Sequence, residues 1–240
     1  MNRKGFVILA LLFSIILLLA TGVSAGQFVD VPTDHWDGVN WYIDNLYSEG
    51  FIEGYPDDTF KRDRPMTRYE LAMIVCRIND RVISELEIAD PELGSYYKTM
   101  IPVSQGIYFS DVSLGHWASY AVAVCDLNGY IVGNECGRFN GDAPVTALQF
   151  AIVMDRLGSR LDLLRLPNSG YRDSSETDTE TDIEGLHLGV FGSDVLRYLE
   201  SLQEFQNVPR ELILTMPVSR DGIALTIPRV WARMVSYIMD

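Results

Sequence analysis

Phe28-Val29-Asp30-Val31 is echoed further along the chain by Phe109-Ser110-Asp111-Val112, and the same series of signals follows each. His35-Trp36 stands seven residues after Phe28, and His116-Trp117 seven after Phe109. Each Trp opens apolar residues at helical spacing: Val39, Tyr42, Ile43 and Leu46, then Tyr120, Val122, Ala123 and Leu127. Each pattern stops at a glycine, in Glu49-Gly50-Phe51-Ile52 and Asn128-Gly129-Tyr130-Ile131, where a helix end commonly needs a left-handed residue. A turn follows, Gly54-Tyr55-Pro56-Asp57-Asp58-Thr59-Phe60 in one copy and Gly133-Asn134-Glu135-Cys136-Gly137-Arg138-Phe139 in the other. Pro65-Met66-Thr67 and Pro144-Val145-Thr146 then precede a second helical stretch.

The second stretches begin with capping boxes. Thr67 and Glu70, and again Thr146 and Gln149, stand three apart, so hydroxyl and side-chain acceptor exchange bonds with orphan amides. Helices are expected from Leu71 to about Leu86 and from Phe150 to Leu164. One helix-turn-helix unit cannot bury its apolar face alone, so such units stack into a mostly α fold. A degraded third copy is expected from Tyr171-Arg172-Asp173, from Ser193 as a cap for Val195, Leu196, Leu199 and Leu202, and from a last helix opened by Pro228-Arg229-Val230-Trp231-Ala232. The organisation read from these signals is a signal peptide at 1–25, a first repeat at 26–88 and a linker at 89–108. A second repeat at 109–166 follows, then an acidic linker and degenerate third repeat at 167–240.

Asn2-Arg3-Lys4, the apolar run Phe6 to Ala20 and Val23-Ser24-Ala25 together describe a secretory signal peptide. Its removal is expected to leave no membrane span. The chain carries 33 acidic against 19 basic side chains, a net charge of −14, which excludes nucleic acid as a partner because phosphate binding needs a basic face. The three cysteines, Cys76, Cys125 and Cys136, make no disulfide framework and no CxxC spacing, and Cys76 sits in an apolar stretch as a small hydrophobe. Cys125 and Cys136 remain open to pairing. Asp178, Glu180 and Asp182 alternate like a calcium loop, but Ile183 and Gly189 stand where that loop needs its glycine and its bidentate glutamate. No catalytic or nucleotide-binding fingerprint is present, so neither enzymatic activity, nor a metal, nor a cofactor is expected.

Phe-x-Asp-Val, His-Trp, Gly-Phe-Ile-x-Gly-Tyr-Pro-Asp-Asp-Thr-Phe and Pro-Met-Thr-Arg-Tyr-Glu-Leu-Ala resemble the S-layer homology domain, closely over 28–79, in spacing over 109–158, and only in order over 171–240. The resemblance implies three repeats packed as one pseudo-threefold helical unit that grips an acidic, often pyruvylated, secondary cell-wall polysaccharide in grooves between repeats. It implies Arg68 as the cation that holds the ketal carboxylate, a role suited to a bidentate and permanently charged fork. Asp30, Trp36 and Gly50 resemble further groove positions, and each also reads as structure: a loop cap, a core aromatic and a helix stop. Ala147 replaces the arginine in the second copy, and Arg229 is its counterpart in the third. Lys61, Arg62, Arg64 and Arg68 form a basic cluster, either a solvated loop or a landing site for an anionic glycan. The expected product is a secreted, non-catalytic module at the cell surface or wall, with S-layer or other envelope proteins as further partners. A surface protein–protein scaffold that has lost glycan binding is the alternative.

Overall fold

A computed structural model describes residues 28–31, 39–89, 91–99, 109–162 and 188–239. The stretch read as a signal peptide, His35-Trp36, Tyr171-Arg172-Asp173 and the acidic stretch lie outside the described residues. The described chain is helical: α1 (Val39–Ser48), α2 (Arg68–Ala89), α3 (Pro91–Thr99), α4 (Ser119–Leu127), α5 (Ala147–Asp162), α6 (Val190–Glu200), α7 (Arg210–Ile213) and α8 (Arg220–Met239), with a 3-10 turn at Gln203–Phe205.

The repeat signals produce their elements by the expected chemistry. Glu70 Oε2 accepts the Thr67 amide at 2.8 Å while the Glu70 amide reaches Thr67 Oγ1 at 3.3 Å, and Thr146 with Gln149 repeats the exchange at 3.3 and 3.2 Å. After α1, Gly50 takes φ +75°, so that Phe51 N bonds Leu46 O at 2.8 Å and Gly50 N bonds Tyr47 O at 2.9 Å. The opening phenylalanines also have their reason. A Cβ on Gly54 would fall 2.2 Å from the Phe28 ring, and one on Gly133 would fall 2.1 Å from the Phe109 ring. Each Phe therefore packs on a bare backbone that only glycine leaves open.

Three Pro-x-Thr/Ser segments meet at the centre. Met66 N bonds Val218 O at 2.9 Å, Val218 N bonds Val145 O at 2.9 Å, and Val145 N bonds Met66 O at 2.8 Å, which closes a ring of three backbone hydrogen bonds. Isolated bridges join Pro65 to Ser219, Thr67 to Pro144 and Thr146 to Pro217. Met66, Val145 and Val218 are all buried there. The helices follow the same cycle: α2 packs on α4, α5 on α6 and α8 on α1. The segment Pro217-Val218-Ser219 thus closes the ring.

Several expectations are corrected. The stretch read as a linker at 89–108 contains α3, packed so tightly on α2 that a Cβ on Gly94 would lie 2.4 Å from Glu87 N. In α4 the buried face is Ala121, Val122, Val124 and Cys125, while Tyr120 and Leu127 are exposed. Small residues let α4 approach α2 closely, and the Cys125 thiol donates to Ala72 O at 3.6 Å. Cys125 is therefore a buried free thiol, and Cys136 is an exposed one on its turn. Cys76 is buried as expected, and burial followed by the neighbouring Asp80 charge pushes its thiol up to about 12.

The third copy departs most from its reading. Ser193 lies inside α6, not at its cap; the Asp155 carboxylate from α5 accepts Gly189 N at 3.0 Å and Gly192 N at 2.9 Å instead. The last helix opens at Arg220, with Pro228 inside it. The segment matching Pro65-Met66-Thr67-Arg68 is thus Pro217-Val218-Ser219-Arg220, and Ser219 Oγ accepts the Gly222 amide at 2.9 Å. Gly222 has no carboxylate to complete the box. Glu204 supplies one from the 3-10 turn, its Oε1 accepting the Ser219 hydroxyl at 3.2 Å. Burial raises the Glu204 pKa, so its ionised form costs stability at neutral pH and the cost disappears once the pH falls to the ordinary value, about 4.3. Glu204→Gln is therefore expected to raise the thermal midpoint at pH 7, with the gain shrinking to nothing near pH 4 in a pH series of melts.

Candidate binding grooves between the repeats

Arg68 belongs to the first unit but serves the second. Its Nε donates to Phe139 O at 2.9 Å and its Nη2 to Val132 O at 2.7 Å, with the guanidinium 5.0 Å over the Phe139 ring. Arg220 does the same from the third unit to the first. Its Nε donates to Phe60 O at 2.7 Å and its Nη2 to Glu53 O at 2.6 Å, and the guanidinium lies 4.4 Å over Phe60. Phe139 and Phe60, and Val132 and Glu53, hold matching places in the two turns. Ala147, the second unit's counterpart, is buried and brings no guanidinium to the junction with the third.

This cyclic order regroups the candidate residues. Asp30 and Gly50 belong to the first unit, on whose Glu53 and Phe60 carbonyls Arg220 docks, whereas Arg68 docks on Val132 and Phe139 of the second unit. Arg229 is not the third-copy counterpart of Arg68. It stands on α8 more than two turns beyond Arg220, with its guanidinium 5.0 Å over Tyr42 of α1. Trp36 lies outside the described residues.

Asp30 clamps a loop. Its two oxygens accept the amides of Phe60 and Lys61, both at 2.7 Å, and Lys61 takes a positive φ to allow it. Asp111 repeats this on Phe139 and Asn140, both at 2.8 Å. Burial opposes the Asp111 charge, but those two amides outweigh it and hold the carboxyl below the usual range. Gly50 is the helix stop described above, with open space where a Cβ would stand.

The two arginine-bearing junctions differ in character. Where Arg68 meets the second unit, Tyr69 lies tilted against His116 at 4.3 Å, stacks on Phe139 at 5.6 Å and meets Trp117 edge-on at 5.7 Å. Trp117 is 63% exposed, which leaves an aromatic face open beside Tyr69 at this junction. Where Arg220 meets the first unit, Tyr55 is surrounded by Lys61 at 4.0 Å, Arg220 at 4.9 Å and Arg64 at 5.2 Å. Glu70 Oε1 balances them, accepting the Tyr55 hydroxyl at 2.5 Å and both Arg64 and Arg220 Nη1 at 3.2 Å.

The basic cluster is accordingly stitched into the fold. Lys61 pairs with Asp57 at 3.3 Å, Arg62 with Asp221 at 2.7 Å and Arg64 with Glu70 at 3.2 Å. The Arg62 pair crosses from the first unit to the third. Lys61 and Arg64 keep about 40% of their side chains exposed and so still present positive charge at the surface. Arg220, Trp117 and Tyr55 are the residues that sequence reasoning missed. Pro217-x-Ser-Arg was the available signal for the first, obscured by serine and glycine in place of threonine and glutamate. Among the described residues no cluster of His, Cys, Asp and Glu is arranged to hold a metal, and no helix is long and apolar enough to cross a membrane.

Residues 27–72 match the S-layer homology domain. Outer membrane protein alpha of Thermotoga maritima is 49% identical over 53 residues, 22% of this chain and 13% of that protein. Outer membrane protein SlpA of Deinococcus radiodurans is 46% identical over 66 residues, 26% of this chain and 6% of its own length. Outer membrane protein SlpA of Thermus thermophilus is 32% identical over 80 residues, 33% of this chain and 8% of that protein. The chain thus spans a small fraction of the length of each of these relatives.

Proposed function

We propose that this chain, whose residues 27–72 are an S-layer homology domain, is a non-catalytic anchoring module of the cell envelope that binds an acidic wall polysaccharide in the grooves between its units. The observation that carries the reading is the junction at Arg68. A guanidinium held by two carbonyls of the next unit lies over Phe139, on whose ring Tyr69 stacks, and Tyr69 in turn meets His116 and the exposed ring of Trp117. A fixed cation serves a ketal carboxylate, and an open indole face serves the apolar side of a sugar ring. The surface names of the relatives, outer membrane proteins among them, support a place at the cell surface or wall.

A second reading, a protein-binding scaffold that has lost its glycan, is favoured by two features. The cations of the 61–64 stretch are paired internally, and the second-to-third junction has alanine at 147. Arg68→Ala separates the two. The expected result is loss of co-sedimentation with purified walls, with far-UV circular dichroism unchanged. Co-sedimentation equal to that of the unaltered chain favours the scaffold.

A further inference from the structure

We propose that the pocket between α1 and α8 binds an aromatic ring carrying a carboxylate, at a site separate from the grooves above. The pocket has a volume of about 190 Å³ and is walled by Trp41, Tyr42 and Phe51 from the first unit and Ile227 and Trp231 from the third, with Arg229 among its lining residues. A dry cavity of roughly 150 Å³ already takes a benzene ring, so this one is sized for a single ring. The walls offer almost nothing to satisfy sugar hydroxyls, whereas offset and edge-on packing against two indoles and a phenol suits an aromatic guest.

Arg229 supplies the second requirement. Every other arginine whose side chain is described pairs with a carboxylate or bonds a carbonyl of another element. Arg229 instead donates one bond, 2.6 Å from Nη1 to Leu225 O of its own helix, and stacks on Tyr42. No carboxylate among the described residues meets it, in a chain with 33 acidic side chains. A guanidinium has five donors, so the rest of its fork is suited to a carboxylate that arrives with the guest.

The ring and carboxylate belong either to a free aromatic acid or to the last residue of a polypeptide ending in Phe. Titration of the full chain with 3-phenylpropionate, followed by the indole N–H resonances of Trp41 and Trp231, tests the site. The expected result is a saturable shift of both, with 3-phenylpropanol about tenfold weaker for want of the charge-assisted bond. Arg229→Gln should bring the acid down to the alcohol, and Ala232→Trp at the pocket lip should abolish both. A peptide ending in Phe with a free carboxyl identifies the source: binding tighter than that of 3-phenylpropionate points to a chain end, and weaker binding points to the small acid. No saturable shift by about 10 mM, or equal affinity for acid and alcohol, overturns the proposal. Arg229→Gln should leave wall co-sedimentation unchanged, which keeps this test independent of the glycan reading.

Discussion

Arg220→Ala is expected to lower the thermal midpoint by roughly 6–12 °C. Arg220 is 4% exposed and holds the third unit to the first through Phe60 O, Glu53 O and Glu70. Desolvation works against its charge and lowers its pKa, and the Glu70 carboxylate offsets part of that cost. Removing one partner of a buried pair costs about 3–5 kcal/mol, because groups that remain lose their bonds without regaining water. For a chain of this size each kcal/mol moves the midpoint by roughly 2–4 °C, and the lower cost gives the range stated. Arg220→Lys should recover little, since a single ammonium cannot span two carbonyls and a carboxylate as a fork does. Scanning calorimetry decides it. A midpoint within about 2 °C of the unaltered chain would show that the ring is not closed by this residue.

The next largest effect is expected at Gly141, on the other arginine junction. A Cβ there would fall 2.1–2.2 Å from three carbons of the Tyr69 ring, far inside any contact real side chains make. Neither partner can retreat easily. Tyr69 N bonds Gly141 O at 2.9 Å, and the ring is trapped between His116 and Phe139. Gly141→Ala should therefore cost about 2–3 kcal/mol, the upper part of what overpacking usually costs. In a Tyr69→Ala background the same change should cost about 0.5 kcal/mol or less, because the obstacle is gone. Urea unfolding of the four chains measures the coupling. Equal costs in both backgrounds would mean that the first and second units do not meet as described.

How much of this was legible in the sequence follows from where each bond comes from. The first two units could be read because their punctuation is local: Thr67 caps with Glu70, Thr146 with Gln149, and Gly50 and Gly129 stop the helices within a turn of the residues they serve. The third unit could not be read that way, because its caps arrive from elsewhere. Asp155 caps α6 across two elements, and Glu204 fills the place that Gly222 leaves empty. With serine at 219 and glycine at 222, the Pro228-Arg229 pair looked like the better start, yet it lies inside α8. At the site, Arg68 was identifiable from its motif, but its partners were not. Each second helix packs on the first helix of the following unit, so Arg68 faces Val132 and Phe139 while Asp30 and Gly50 fall to Arg220. That order belongs to the closed ring and leaves no trace in local spacing.

The net charge of −14 sets the difficulty that any anionic ligand must overcome. At physiological salt, bulk repulsion is screened over about 8 Å, so a guanidinium in contact with a carboxylate still decides the outcome. The central claim therefore rests on the ligand's acidic substituent. Isothermal titration of the purified chain with wall polysaccharide, before and after mild removal of its pyruvate ketals, tests this most directly. Binding that is strong before removal and lost after it is the expected result; affinity that survives removal unchanged would contradict it.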